Sequence, residues 1–158
     1  VIEATTGPTQ LLGWDLDADG SAEELLYAEI GGNIHMDGKE VFRRAVRIMV
    51  DSAQKSMQIA GVTADDIALI VPHQANTRII SAACDRLGIP MERTSTVLHE
   101  TGNTSSASIP LALFDAANGG PMSGRTLREG DLVLVVGFGA GMTAASAVLR
   151  WNGKGLRA

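Results

Sequence analysis

The chain has one cysteine, no long apolar run and no excess of basic residues. Cys84 cannot form an internal disulfide, so the reducing cytoplasm is the expected compartment. No apolar segment approaches the ~18 residues of a membrane span. Basic residues are outnumbered, 13 Lys and Arg against 18 Asp and Glu, and the electrostatic footprint of a nucleic-acid binder is missing. What remains is ordinary in the useful sense: 158 residues, 45% hydrophobic and 20% charged, suit one folded domain with its own core rather than a disordered segment. The opening residues lack the charged-then-apolar pattern of a secretory leader. Val1-Ile2-Glu3-Ala4-Thr5 reads instead as a strand already in progress before the turn residues Gly7-Pro8, so a preceding segment is expected to have been cut away.

Along the chain, apolar periodicity alternates between strand and helix. Gln10 to Asp15 reads as a short strand, and Asp15 to Ser21 as a polar turn. That acidic turn puts Gly20 where a calcium loop wants glycine, but Leu26 stands where the closing bidentate Glu belongs, so a solvated turn is expected. Asp37 to Ala60 is helical, with Val41, Ala45, Ile48, Met49, Ser52 and Ala53 on one face and Gly61 as the stop. Ile67 to Val71 is a β-rich run. A second helix runs from about Ala75 to Leu87 and ends at Gly88. Thr94 to Leu98 reads as a strand and Thr104 to Ala117 as a third helix with Pro110 in its early turns. After a loop at Gly119 to Gly124, Leu132 to Val136 and Ala144 to Trp151 are strands close enough to pair as a hairpin. The alternation predicts a layered α/β sheet.

Two motifs put polar side chains where strands meet helices, the place where α/β sheets handle ligands. In Val71-Pro72-His73-Gln74-Ala75-Asn76, proline keeps the preceding residue extended and His73 leaves the sheet as the helix begins; its ring either donates from a neutral imidazole or shuttles a proton, or else only packs and caps. In Gly102-Asn103-Thr104-Ser105-Ser106-Ala107-Ser108, Asn103 is either an ordinary N-cap or an amide aimed at a developing oxyanion. Gly137 to Gly141 lacks the Lys-Ser/Thr of a phosphate loop. It is either a plain hairpin turn or a turn whose backbone N–H groups approach a substrate, with Phe138 as a wall. Lys39, Arg43 and Arg47, with Arg44 alongside and Arg78 beyond, form a basic stripe that is either a solvated face or a dock for an acidic partner. His35, Met36 and His99 have no metal-ligand spacing, and no metal is expected. A Cys84, His73, Asn103 hydrolase triad is opposed by geometry. Cys84 lies along a helix from His73, and at about 1.5 Å per residue the separation is roughly 16 Å.

Together VPHQAN and GNTSSAS, with Asp19-Gly20-Ser21, Met36-Asp37-Gly38-Lys39-Glu40-Val41-Phe42 and the terminal Gly137 to Trp151 hairpin, resemble the C-terminal half of β-ketoacyl-acyl-carrier-protein synthase III. These are the thiolase-like enzymes that start type II fatty acid synthesis. The resemblance implies one half of a thiolase-like layered fold, a mixed β-sheet flanked by helices. Residues 1–20 would be the end of the N-terminal half and a linker, and 21–158 the C-terminal domain. The family condenses acyl-CoA with malonyl-carrier protein through a Cys, His, Asn triad. By resemblance His73 and Asn103 belong to that triad, and its Cys lies in the absent N-terminal half. The backbone N–H of Ala140 would serve the oxyanion hole beside Phe138; many members carry Gly where Ala140 stands, and a backbone donor survives that change. Gly38, Phe42, Ala75 and Asn76 would line the pantetheine tunnel, and Arg43 and Arg78 would meet the acidic acyl-carrier protein. Implied partners are acyl-carrier protein, acyl-CoA, the chain's own N-terminal half and, for the intact enzyme, a second copy as homodimer. Nucleic acid, membrane and any cofactor are not expected, and the fragment alone should be inactive and self-associate through an exposed apolar face. A related synthase for polyketide or signalling precursors, and a noncatalytic carrier-protein-binding module, are the alternatives.

Overall fold

A computed structural model describes residues 10–153 of the chain. The expected opening strand at Val1 to Thr5 and the Gly7-Pro8 turn lie outside the described residues. A four-stranded mixed sheet runs in the order β1 (Leu11–Ala18), β6 (Thr143–Arg150), β5 (Leu132–Gly139), β4 (Leu69–Pro72). β5 and β6 form the expected antiparallel hairpin, β1 extends it antiparallel to β6, and β4 pairs parallel with β5. Since β1 bonds along β6, the strand before residue 20 belongs to the same sheet as β4, β5 and β6.

The long helix α1 (Gly38–Ala60) has the bounds its sequence signals require. The Asp37 carboxylate accepts from the Lys39 and Glu40 N–H groups, and Gly61 ends the helix in the left-handed region at φ 69°. Helix α2 (Thr77–Leu87) is capped in the same way by Asn76 and Gly88. These two helices cover one face of the sheet, where Ala45, Met49, Ala53, Ile80 and Cys84 pack against Ile70, Leu134, Val136 and Val148. The other face is covered by α4 (Ser108–Ala117), whose Ala112 and Ala116 meet Leu69, Val71 and Val133.

The structure departs from the sequence reading in four places. β1 continues through Asp15 to Ala18, so the turn begins only at Asp19, whose carboxylate accepts from the Ser21 N–H. Thr94 to Leu98 is not a strand. Thr94 makes one parallel bridge to Ile70, and the chain then turns into α3 (Leu98–Thr101). The Val97 and Leu98 N–H groups that would have continued a ladder are taken by a side chain, that of Gln74. The third helix is split, with a 3-10 turn at Ser105–Ala107 before α4. A short hairpin, β2 (Leu26–Ala28) with β3 (Ile34–Met36), went unread: its strands are only three residues long, although Gly31-Gly32 lies in the loop between them.

Coverage of the two sheet faces is unequal. Ser146 and Val148 of β6 face α1, so Ala145 and Ala147 face the α4 side, and with them their β1 partners Leu16 and Trp14. α4 does not reach that far, and Leu16 and Trp14 stay 69% and 59% exposed. An uncovered apolar face is therefore present, as expected.

On the covered face the fit is tight. A Cβ at Gly13 would lie 2.3 Å from the Ser56 carbonyl oxygen and 2.7 Å from the Ala60 nitrogen, both backbone atoms of α1, whereas Gly20 has open space around it. Gly13→Ala is expected to destabilise by about 2 kcal/mol or more, and Gly20→Ala by less than about 0.5 kcal/mol. Urea unfolding of the two variants side by side tests this, and equal midpoints would contradict it.

Candidate active site

β4 ends on Pro72, and the His73 N–H still donates to the Val136 oxygen at 2.8 Å, which carries the strand's alignment one residue further. The imidazole is thus launched from the carboxyl end of a buried parallel strand. Its Nδ1 lies 2.6 Å from Ser108 Oγ, and the Phe138 ring meets it edge-on at 5.6 Å between centroids. Beside them the backbone of Gly137 leaves no spare room, since a Cβ there would stand 3.3 Å from the Ile109 side chain and 3.4 Å from His73 Cβ. Burial disfavours the imidazolium and holds the His73 pKa below the usual imidazole range, so the ring is neutral at pH 7.

Asn103 sits exposed just after Gly102. Its Oδ1 accepts the Ser105 N–H at 2.9 Å, while Ser105 adopts a left-handed backbone with φ 52°. Asn103 is therefore not the N-cap that the sequence suggested: Thr104 holds that position before the 3-10 turn, and Asn103 closes a side-chain turn one residue earlier. This turn uses the oxygen end of the amide, which leaves the Nδ2 hydrogens as the end that can donate to something else.

A residue inside the first motif that the sequence did not single out is Gln74. Its side chain is fully buried. Nε2 donates to the Pro72 and Ser95 oxygens at 2.7 and 3.2 Å, and Oε1 accepts from the Val97 and Leu98 N–H groups at 2.9 and 3.2 Å. Both ends of the amide are satisfied, and the end of β4 is tied to the segment that leads to Asn103. Ser108, which bonds both His73 and the Gln74 N–H, was also passed over. Its only signal was its place as the last residue of the Gly102 to Ser108 motif.

Of the other expected residues, two are brought together. Phe42 on α1 and Arg78 on α2 are in contact, the guanidinium carbon 5.6 Å from the ring centroid, beside a surface groove of about 430 Å³ that they share with Thr77, Ser81, Ala82 and Asp85. Asn76 spends its Oδ1 on the Arg78 N–H as the cap of α2, Ala75 is half-buried, and Gly38 is the exposed first residue of α1. The basic stripe is partly neutralised: Arg43 pairs with Glu40 and Arg44 with Asp19, each at 2.9 Å. Ala140 lies exposed in the β5–β6 turn. A second groove, of about 370 Å³, is lined by Asp15, Asp17, Asp19, Asp51 and Lys55 and contains none of these residues. Among the described residues no three His, Cys, Asp or Glu are placed to hold a metal ion. Cys84 is buried on α2 with its Sγ 3.4 Å from Thr94 Oγ1, and burial pushes its thiol pKa up, the opposite of an activated nucleophile.

The sequence and the fold have counterparts among known proteins. The family model for the 3-oxoacyl-[acyl-carrier-protein] synthase III C terminal matches residues 57–151. The chain is 42% identical to the β-ketoacyl-[acyl-carrier-protein] synthase III of Roseiflexus sp. strain RS-1, a match covering 96% of this chain and 49% of that protein. The crystal structure of 3-oxoacyl-[acyl-carrier-protein] synthase III from Aquifex aeolicus aligns with a TM-score of 0.87 at 38% identity, over 94% of this chain and 46% of that one. That of the synthase III from Thermus thermophilus aligns at 0.84 and 44%, over 96% and 49%. The chain spans about half the length of the curated relatives it matches. The mixed sheet flanked by helices is the thiolase-like half-fold that the resemblance implied.

Two outcomes follow from the geometry. Gln74→Leu keeps the volume but strands two carbonyls and two N–H groups in the core, so a loss of about 3 kcal/mol or more is expected from denaturant unfolding. His73 contributes a pH dependence whose sign is fixed by its lowered pKa. Between the folded and unfolded pKa values the unfolded chain binds more protons, so stability is intact above about pH 6.5 and falls as pH drops toward the folded pKa. His73→Asn is expected to flatten the stability curve just below about pH 6.5, and an unchanged slope there would contradict a neutral, half-buried ring.

Proposed function

The chain belongs to the 3-oxoacyl-[acyl-carrier-protein] synthase III C-terminal family, and from that premise we propose that it is the C-terminal half of an enzyme that condenses acyl-CoA with malonyl-acyl-carrier protein. The observation that carries the reading is the neutral, half-buried His73 held beside Phe138 while Asn103 keeps its amide hydrogens unspent. In this mechanism the thiolate of a Cys in the N-terminal half attacks the acyl-CoA carbonyl and expels the CoA thiolate. Malonyl-carrier protein then loses CO₂, and the electron pair of the broken C–C bond becomes an enolate. The His73 and Asn103 N–H groups donate to the thioester oxygen as its charge grows, so they hold the transition state more tightly than the substrate. The enolate carbon attacks the acyl-Cys carbonyl, aided by the Ala140 N–H, and the Cys thiolate leaves as the β-ketoacyl product forms on the carrier.

A neutral donor suits this step, because an imidazolium would risk protonating the nascent carbanion. We place the pantetheine arm along Gly38, Phe42, Ala75 and Asn76. The carrier protein, an acidic partner, docks on Arg43 and Arg78, both exposed and both beside Phe42. The uncovered face of Trp14 and Leu16 is where we seat the N-terminal half, with residues 21–158 as the C-terminal domain of a cytoplasmic homodimer. No cofactor enters the chemistry.

The reading is tested in two steps. Intact mass of this chain after incubation with acetyl-CoA is expected to show no adduct, and a stoichiometric acetyl group on Cys84 would overturn the assignment of the nucleophile to the other half. In the intact enzyme, His73→Ala is expected to lower condensation by about 10²-fold or more while leaving acyl transfer from CoA to the Cys in place. Loss of both steps together would place His73 on the acylation step instead.

A further inference from the structure

The His73 ring can donate toward a substrate only if its outer nitrogen carries the proton. We propose that Ser108 is the positioning residue that sets this, by donating its hydroxyl hydrogen to His73 Nδ1 and so fixing the Nε2–H tautomer. The inference rests on the condensing-enzyme reading for its purpose, but not for its geometry.

Ser108 is fully buried at the first position of α4. A serine hydroxyl has one hydrogen and two lone pairs. One lone pair accepts the Gln74 N–H at 3.1 Å, a backbone group that can only donate. The remaining contact is with His73 Nδ1 at 2.6 Å, and one hydrogen lies between the two atoms. Were it on Nδ1, the Ser108 hydroxyl would accept twice and its own hydrogen would need a further buried acceptor. Among the described residues Ser108 Oγ has no third partner. The hydrogen therefore sits on Oγ, Nδ1 is the acceptor, and the proton of the neutral ring is on Nε2. Phe138 on the edge of the ring and the close-packed Gly137 backbone oppose a flip that would exchange the nitrogens.

The placement has a functional logic. Ser108 lies on the same continuous segment as Asn103, separated by one 3-10 turn. One element thus presents the Asn103 donor and also decides the chemical form of the His73 donor. In the opposite tautomer Nε2 would turn a lone pair toward the enolate oxygen, and a hydrogen bond would become a repulsion.

The test is ¹⁵N NMR of histidine-labelled intact enzyme near pH 7.5, with His73→Asn identifying the resonances, alongside steady-state condensation kinetics. In the unsubstituted protein Nδ1 is expected to be unprotonated and Nε2 protonated. Ser108→Ala is expected to give a mixture of tautomers and about a 10-fold lower kcat, with KM for the malonyl substrate within about 2-fold. Ser108→Cys, of similar volume but a weaker donor, is expected to fall between, and it answers the question if the alanine variant fails to fold. A protonated Nδ1 in the unsubstituted protein, or an unchanged tautomer in both variants, would overturn the proposal. If the tautomer responds as expected but the intact enzyme does not condense, the role of Ser108 stands and the functional reading falls.

Discussion

The amide of Gln74 is the interaction on which the site depends. It fills its hydrogen-bonding capacity entirely with backbone groups: two carbonyls, one on either side of the gap between β4 and the Ser95 segment, and two N–H groups at the start of α3. Its own N–H goes to Ser108 on α4. Three segments distant in sequence are locked by one residue, in a dry interior where such bonds are strong and their loss is costly. The neighbouring His73 and the loop carrying Asn103 cannot drift apart without breaking several of these bonds. Under the proposed mechanism two donors would have to be held to within about half an ångström of one oxygen, and a satisfied network supplies that rigidity where a packed apolar side chain would not.

What the sequence revealed and concealed follows the range of the forces involved. Asp37 and Gly61 delimit α1, and Asn76 and Gly88 delimit α2, because capping acts within a few residues and is written in the local order of side chains. The β5–β6 hairpin was legible from two apolar runs around glycines. His73 and Asn103 stood out as polar residues at junctions. Thr94 to Leu98 misled because its alternation is that of a strand, and the partner that diverts it, Gln74, lies about twenty residues upstream. Ser108 was hidden for the same reason, with the histidine it serves 35 residues away. The alternatives left open at Asn103 were of another kind. The N-cap falls one residue later, on Thr104, and the oxygen of Asn103 closes a side-chain turn while its other end stays a donor.

The uncovered face of the sheet and the chemistry of the site are connected. Leu16 pairs with Ala145, and Ala145 pairs with Gly137, so the three form a row across β1, β6 and β5 on one face. Gly137 abuts His73 Cβ. A layer laid over Leu16 and Ala145 would therefore run on to the histidine. In this chain the ring is only half-buried, and its pKa is already lowered by that partial burial. Covering the row would remove more water from the imidazole, push the charged form further out of reach and strengthen the Nε2–H as a donor in a drier medium. On the condensing-enzyme proposal, the packing that would cover Trp14 and Leu16 is thus the same packing that would enclose the histidine, and these two apolar residues would influence its donor strength without approaching it.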